Sequence, residues 1–402
     1  MSSRPAALRR FALVLLLGSM AAVLAAWVLW MIGLVDSGGV SDPNGNPVGI
    51  DYAIFHTGGR LLASDHQADL YDEGGFLEAL AATTGEEDPD PSGLFVNPPF
   101  FAALFAPLGN VQYRTGFAIW TGIGLVALGL GLRLAGARRW ALITLVALLF
   151  YPVFVGFRLG QNSFVSLLLL AACFALLQKG NHRLAGIALG LLVFKPQLAL
   201  GVAFWWTIDW RRYRIAWVSA GVTAASVAIA GWLLWPGATE AYLADLPSLV
   251  GFRSAGFLRS TLSPYGFFSL LVPGRDSLVY GLTIVAAILG LAWFWSYWRD
   301  HRSDLAGLFA LSVILTLLIS PRVVVYDWTL LLIPAVILAT QRKDLRDTWL
   351  VIGGIVSIAA VVTIQLTEAQ LSNLNWAMQI AVPVLVVGAV GVSRSLGAKP
   401  VG

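Results

Sequence analysis

Apolar and polar positions in this chain come in blocks rather than in alternation. Apolar runs recur at about 11–34, 114–134, 140–156, 163–178, 215–235, 277–298, 303–320, 327–341, 347–366 and 375–393. A run of about twenty apolar residues crosses a bilayer as a helix. Backbone facing lipid must satisfy its own hydrogen bonds, so helices and closed barrels are the candidates. The runs are continuous, with no period of two, so helices are expected throughout. The piece 98–109 is too short to cross and reads as a half-helix at the outer face.

Residues 184–208 need a different solution. Lys179 and Arg183 precede them, and Arg211, Arg212 and Arg214 follow. Basic flanks belong on the cytoplasmic side, so an even number of crossings must fit between them. Two short helices meeting at Phe194-Lys195-Pro196-Gln197 satisfy this, because proline breaks a helix. Interrupted, short segments of this kind point to a binding site. The expected fold is an all-α polytopic membrane protein of about 12 transmembrane helices, two of them short, as one domain over 1–402.

Two polar stretches remain, a long first extracytoplasmic loop at about 35–97 and a second at about 236–276. Residues 35–93 hold twelve of the 22 acidic residues and one basic residue, Arg60. Arg4, Arg9 and Arg10 set the N-terminus inside, with the first run as an uncleaved anchor. Both termini are then cytoplasmic, and the acidic loop is outside.

Composition sharpens this picture. The chain is 58% hydrophobic and 12% charged, against about 25% charged in soluble domains. Lipid is therefore the main solvent. The net charge of +4 resides in short loops between the runs, which excludes nucleic acid as a partner. The single cysteine, Cys173, falls inside a run, so no disulfide within the chain is possible. A small core residue is the expected role.

The remaining polar residues gather at the ends of the runs, on one face of the membrane. The groups are Asp51, Tyr52 and His56 with Arg60; Asn97-Pro98-Pro99; Arg158, Gln161 and Asn162; Lys195 and Gln197; and Ser320-Pro321-Arg322 with Tyr326 and Asp327. A carboxylate at a lipid boundary is expensive without a task, and Asp51 is the carboxylate that needs one. The four histidines lie in different contexts, against a histidine metal site. No phosphate-cradling loop with Lys-Ser/Thr is present. A lone carboxylate beside cations and amides suits glycosyl transfer from a phosphate-linked sugar. The carboxylate takes a proton from the attacking hydroxyl, and the cations stabilise the departing phosphate.

Plainer roles stand beside these. Asp51 could cap a helix. Lys195 and Arg322 could snorkel to headgroups, and Arg158 could anchor at the interface. Gln161 and Asn162, or Tyr326 and Asp327, could cap the helices that follow them. Pro98-Pro99 reads as the start of the half-helix. Trp205-Trp206 and Trp293, Trp295 and Trp298 read as interfacial belt residues. Glu86, Glu87, Asp88 and Asp90 read as a solvated loop tip.

The ordered series Asp51-Tyr52, Ala68-Asp69-Leu70-Tyr71-Asp72, Asn97-Pro98-Pro99-Phe100, Pro107-Leu108, Gly160-Gln161-Asn162, Lys195-Pro196-Gln197 and Ser320-Pro321 resembles glycosyltransferase family 87. Its members are polytopic GT-C enzymes, typified by polyprenyl-phosphate-mannose-dependent α-1,2-mannosyltransferases. The resemblance runs from about residue 45 to 335. It implies an inverting hexosyltransferase of the plasma (inner) membrane, working at the extracytoplasmic face. The donor would be a polyprenyl-phosphate sugar, the acceptor a cell-envelope glycan or glycolipid. No cofactor or metal is expected. Asp51 matches the family's general base in position and in its following Tyr. Tyr52, Asn97, Arg158, Gln161, Asn162, Lys195, Gln197, Arg322, Tyr326 and Asp327 are the candidate substrate-binding residues. The chain departs from the family after Ser-Pro, where many relatives carry histidine and this one has Val325, Tyr326 and Asp327. The alternatives are a transporter or lipid flippase and a polymer ligase.

Overall fold

Leu, Val, Ile and Ala dominate the long runs, and these form helices in the computed structural model, which describes residues 4–36, 47–85, 94–251, 255–341, 346–374 and 376–397. The first helix, α1 (Arg4–Asp36), is followed by α2 (Ile50–Leu62) and α3 (Glu73–Thr84). Two single-turn helices come next, α4 (Pro99–Ala103) and α5 (Ala106–Gly109), then α6 (Tyr113–Leu134). A bent pair, α7 (Trp140–Ala147) and α8 (Tyr151–Leu159), leads into α9 (Ser163–Gln178). The segment after it divides into α10 (His182–Gly190) and α11 (Leu200–Ile208), separated by 3₁₀ turns on either side of Lys195. The chain continues through α12 (Trp210–Leu234), α13 (Pro236–Gly251), α14 (Ala255–Ser260), α15 (Pro264–Leu271), α16 (Asp276–Asp300) and α17 (Leu305–Ile319). A 3₁₀ turn, Val325–Leu331, opens into α18 (Leu332–Gln341), and α19 (Arg346–Asn373) and α20 (Ala381–Gly397) close the fold.

Among the described residues four helices are long and apolar enough to cross a membrane: the Arg10–Asp36 part of α1, α6, α12 and α16. The count is up to five if the bent pair α7–α8 is one span. Helices stand near the other apolar runs; Ser163–Gln178, Leu305–Ile319 and Ala381–Gly397, at 10–17 residues, are shorter than a full crossing. The long helices and the short ones differ in what surrounds them. On α16, Ile284, Val285, Ile288 and Leu289 are exposed and present an apolar flank. On α17, every residue from Gly307 to Leu318 is buried, and α11, α16, α18 and α20 pack around it. A helix apolar on all sides is stable only when protein or lipid covers every side, and α17 is the one covered by protein.

Helices packed in lipid gain little from the hydrophobic effect and depend on close van der Waals contact. Gly186 and Gly190, four residues apart on α10, let α12 approach until the Ala216 and Ala220 carbonyls lie against their Cα atoms. Any side chain there would force the two helices apart.

Several expectations are corrected. The run 140–156 is not one straight helix; it bends by 79° between Ala147 and Tyr151, ahead of Pro152. The described part of the first polar stretch is mostly helical, with α2, a 3₁₀ turn Gln67–Leu70 and α3. The second carries α13, α14 and α15. Trp205 and Trp206 are fully buried against Tyr213 rather than at an interface. Glu86, Glu87, Asp88 and Asp90 lie outside the described residues.

Candidate functional site

Asp51 sits in the first turn of α2, just after the left-handed turn at Gly49 (φ 69°). A carboxylate is favoured there by the exposed N–H groups and the helix dipole. α2 is anchored in the protein by Tyr52, Phe55, Leu61 and Leu62, all buried. Asp51 itself is half-buried.

Three other segments converge on it. The first is the turn between α8 and α9. Gly160 ends α8 at φ 71°, a conformation that favours glycine. A Cβ there would meet the Tyr52 Cβ at 2.5 Å, so the turn lies directly on α2. The Trp120 indole donates to the Gly160 carbonyl at 2.8 Å and holds the turn in place. Gln161 thereby reaches the Asp51 carboxylate and hydrogen-bonds it.

The second segment is the break between α10 and α11. Pro196 begins a new 3₁₀ turn, and Lys195 between the two turns adopts φ −139°, ψ 65°. Its Nζ donates to Asp327 Oδ1 at 3.2 Å and, at 3.4 Å, to Gln161 Oε1. The third is the 3₁₀ turn Val325–Leu331. Its Asp327 is capped into place, Oδ2 accepting from the Val324 N–H at 3.0 Å, while the Ser163 hydroxyl approaches Oδ1 at 3.5 Å. Lys195 also lies 4.9 Å from the centre of the Tyr326 ring.

The Lys195 and Asp327 side chains are only 12% and 3% exposed, so the pair interacts through protein rather than water. Opposite charges attract more strongly there, but desolvation opposes the gain. Asp51 feels this environment. Burial raises its carboxyl, the Gln161 hydrogen bond and Lys195 lower it, Asp327 raises it and Arg158 lowers it, and the outcome is about 6 against an ordinary 3.8. A carboxylate poised near neutrality is suited to accepting a proton in a reaction.

The structure thus groups Asp51, Gln161, Lys195, Tyr326 and Asp327, with Arg158 in electrostatic reach. Arg322 adjoins the group through Tyr326. The Arg158 Nε is buried and has no hydrogen-bond partner among the described residues. Other candidates lie elsewhere. Tyr52 is turned into the core, among His56, Phe105, Tyr113 and Phe117. Asn162 is fully buried, and neither side-chain polar atom has a partner among the described residues. Asn97 is buried, its carbonyl accepting from the Tyr71 hydroxyl at 2.6 Å. Gln197 is half-buried one residue past Pro196. His56 faces the Val111 carbonyl and Arg60 reaches Thr83, so neither joins the cluster.

Some supporting residues carry no signal that sequence reasoning used. Trp120 and Ser163 are two of them. Ser263 is a third: its hydroxyl caps α15 and donates to the Pro321 carbonyl at 2.8 Å, while the Leu262 N–H bonds Val323 O at 2.7 Å. The second polar stretch therefore braces the turn that carries Arg322. The dipeptide Ser263-Pro264 was a readable helix-start signal, but its long-range partner was not.

Among the described residues no group of three or more His, Cys, Asp or Glu could hold a metal ion. A surface cavity of about 310 Å³, lined by Pro47, Thr83, Thr84, Gln112, Tyr113 and Arg114, shares no residue with the Asp51 cluster. Chemistry is assigned to the cluster because it, unlike the cavity, contains a perturbed carboxylate with organised partners.

No curated protein and no solved structure matches the chain. The family model of glycosyltransferase family 87 matches residues 95–321. The matched region contains Asn97, Arg158, Gln161, Asn162, Lys195 and Gln197, while Asp51 and the 322–327 segment lie outside it and join it through contacts in the fold. A match over more than half of the 402 residues decides the matter, and the chain belongs to glycosyltransferase family 87.

Proposed function

We propose that the protein is an inverting hexosyltransferase that takes its sugar, with mannose the first candidate, from a polyprenyl-phosphate donor. The acceptor is a hydroxyl of a cell-envelope glycan or glycolipid. The observation that carries this reading is the raised carboxyl of Asp51, held by Gln161 and faced by Lys195 and Arg158. In the reaction the acceptor oxygen forms a bond to the anomeric carbon, and Asp51 takes the proton that this oxygen gives up. The bond from the anomeric carbon to the phosphate oxygen breaks, and its electron pair leaves with the phosphate. Lys195, Arg158 and Arg322 meet that growing negative charge. Tyr326 lies over the Lys195 ammonium and shapes the same wall. In this reading Asn97, Asn162 and Gln197 are contacts for the far parts of the substrates.

The charge distribution supports cytoplasmic termini and a site on the extracytoplasmic side, and this reading puts the protein in the plasma membrane. A donor whose lipid tail stays in the bilayer then meets Asp51 at the membrane boundary.

The test uses the purified protein in nanodiscs with radiolabelled polyprenyl-phosphate-mannose and a membrane-lipid acceptor extract. The wild type moves label to an acceptor and releases polyprenyl phosphate. Asp51→Asn folds and transfers nothing. Near-normal transfer by that variant would rule out Asp51 as the base. Label that stays on the donor with the wild-type protein would reject this donor.

A further inference from the structure

We propose that Asp327 is a positioning residue: it holds the Lys195 ammonium against Gln161 and thereby fixes the face that Gln161 presents to Asp51. The inference rests on the reading of Asp51 as the reactive carboxylate.

Gln161 Oε1 accepts from Lys195 Nζ at 3.4 Å and from the Asn162 N–H at 3.3 Å. With its oxygen so engaged, the amide nitrogen is the group left to donate to Asp51. An isolated glutamine amide has two nearly equivalent orientations, and its neighbours select one. Lys195 can select it only while its own position is set. It sits in a helix break, on a flexible four-carbon stem, and the buried anchor it touches is Asp327, at 3.2 Å.

Asp327 is well suited to anchor. Oδ2 takes the Val324 N–H at 3.0 Å, locking the carboxylate to its own turn. Oδ1 takes Lys195 and faces the Ser163 hydroxyl, which stands two residues from Gln161. Both oxygens accept hydrogen bonds from the protein, so the carboxylate is held in one orientation. The chain of contacts Asp327–Lys195–Gln161–Asp51 thus ties together four separate segments of the sequence.

Position and charge make opposite predictions, which allows a decisive test. The groups that act on Asp51 are Gln161 and Arg158 from the α8–α9 region, Lys195 from the α10–α11 break, and Asp327 and Tyr326 from the 3₁₀ turn. On its own helix His56 and Arg60 point to Val111 and Thr83. The direct charge of Asp327 raises the Asp51 carboxyl, while Gln161 and Lys195 lower it by more. Loss of Asp327 as a mere charge would therefore make Asp51 more acidic. Loss of Asp327 as an anchor loosens Lys195 and Gln161, and makes Asp51 less acidic.

The experiment is an infrared titration of the Asp51 carboxyl band, assigned by subtracting the Asp51→Asn spectrum, in the full-length protein in nanodiscs. Asp327→Asn is expected to move the midpoint to higher pH. Asp327→Glu keeps the charge but displaces it by a methylene, and is expected to move the midpoint the same way. It also serves as the test if the Asn variant does not fold. Turnover falls by at least about tenfold in either variant, as small misplacements near a reacting centre commonly do. A midpoint that moves down in Asp327→Asn, or stays in place in Asp327→Glu, overturns the proposal. The band is read without any substrate. Transfer by Asp51→Asn would therefore discard the base assignment while the positioning chain is still judged on its own result.

Discussion

Replacing Asp51 by Asn should make the protein inactive and, at neutral pH, more stable. The wild-type carboxyl is pushed up to about 6 from an ordinary 3.8, chiefly by burial. Asp51 lies in the short helix α2, outside the spanning helices, so the comparison with a solvated carboxylate is apt. Below pH 3.8 the folded and unfolded chains both hold the proton, and ionisation contributes nothing. As pH rises from there the unfolded chain releases its proton first, and the folded state loses stability until pH passes about 6. Above that the penalty is constant. At about 1.4 kcal/mol per pH unit the full penalty is roughly 3 kcal/mol. Asp51 keeps some contact with solvent, and screening reduces the figure to about 1–2 kcal/mol. Asparagine has nearly the same shape and carries no charge to desolvate. Equilibrium unfolding in mixed detergent micelles, run at pH 5 and pH 8, measures the difference. The Asn variant should be the more stable at both, with the larger gap at pH 8. An Asn variant less stable than wild type at pH 8, or a gap that narrows with rising pH, would refute the desolvation argument.

Two further outcomes follow from the same geometry. The pH profile of kcat/KM should rise through an acid limb near pH 6, because only ionised Asp51 accepts the proton; initial rates between pH 4.5 and 8 check this, and a flat profile over that range would contradict it. Gly160→Ala places a Cβ 2.5 Å from that of Tyr52 in a left-handed turn, and should cost about 2–4 kcal/mol from strain and overpacking. It should also lower transfer by about tenfold or more, since the turn carries Gln161 and presses on the residue after Asp51; melting and turnover measured on one preparation separate the two effects.

The fold class was legible because lipid imposes a strict rule. Continuous apolar runs must satisfy their own backbone, and only helices do so locally. The break at Lys195-Pro196 was legible for the same reason, since the charged flanks and the proline left few ways to arrange 184–208. Span count was not legible. Composition does not distinguish α16, which exposes Ile284, Val285, Ile288 and Leu289, from α17, whose Gly307–Leu318 stretch is wrapped by other helices. The burial of Trp205 and Trp206 was missed because tryptophan is equally at home in an interface and in a core.

The sequence by itself determined that this is a helical membrane chain, and which few polar residues stand at the ends of its apolar runs, because desolvation costs act on each residue where it stands. It also marked Asp51 as a carboxylate in need of a purpose. Only the tertiary structure decided that Gln161 reaches Asp51 and that Lys195 is paired with Asp327, 132 residues away. It also decided that Tyr52, beside Asp51 in the chain, faces the core instead. Those outcomes depend on how helices cross and turn. A residue's partner across the fold is set by packing of whole segments, and no local pattern records it.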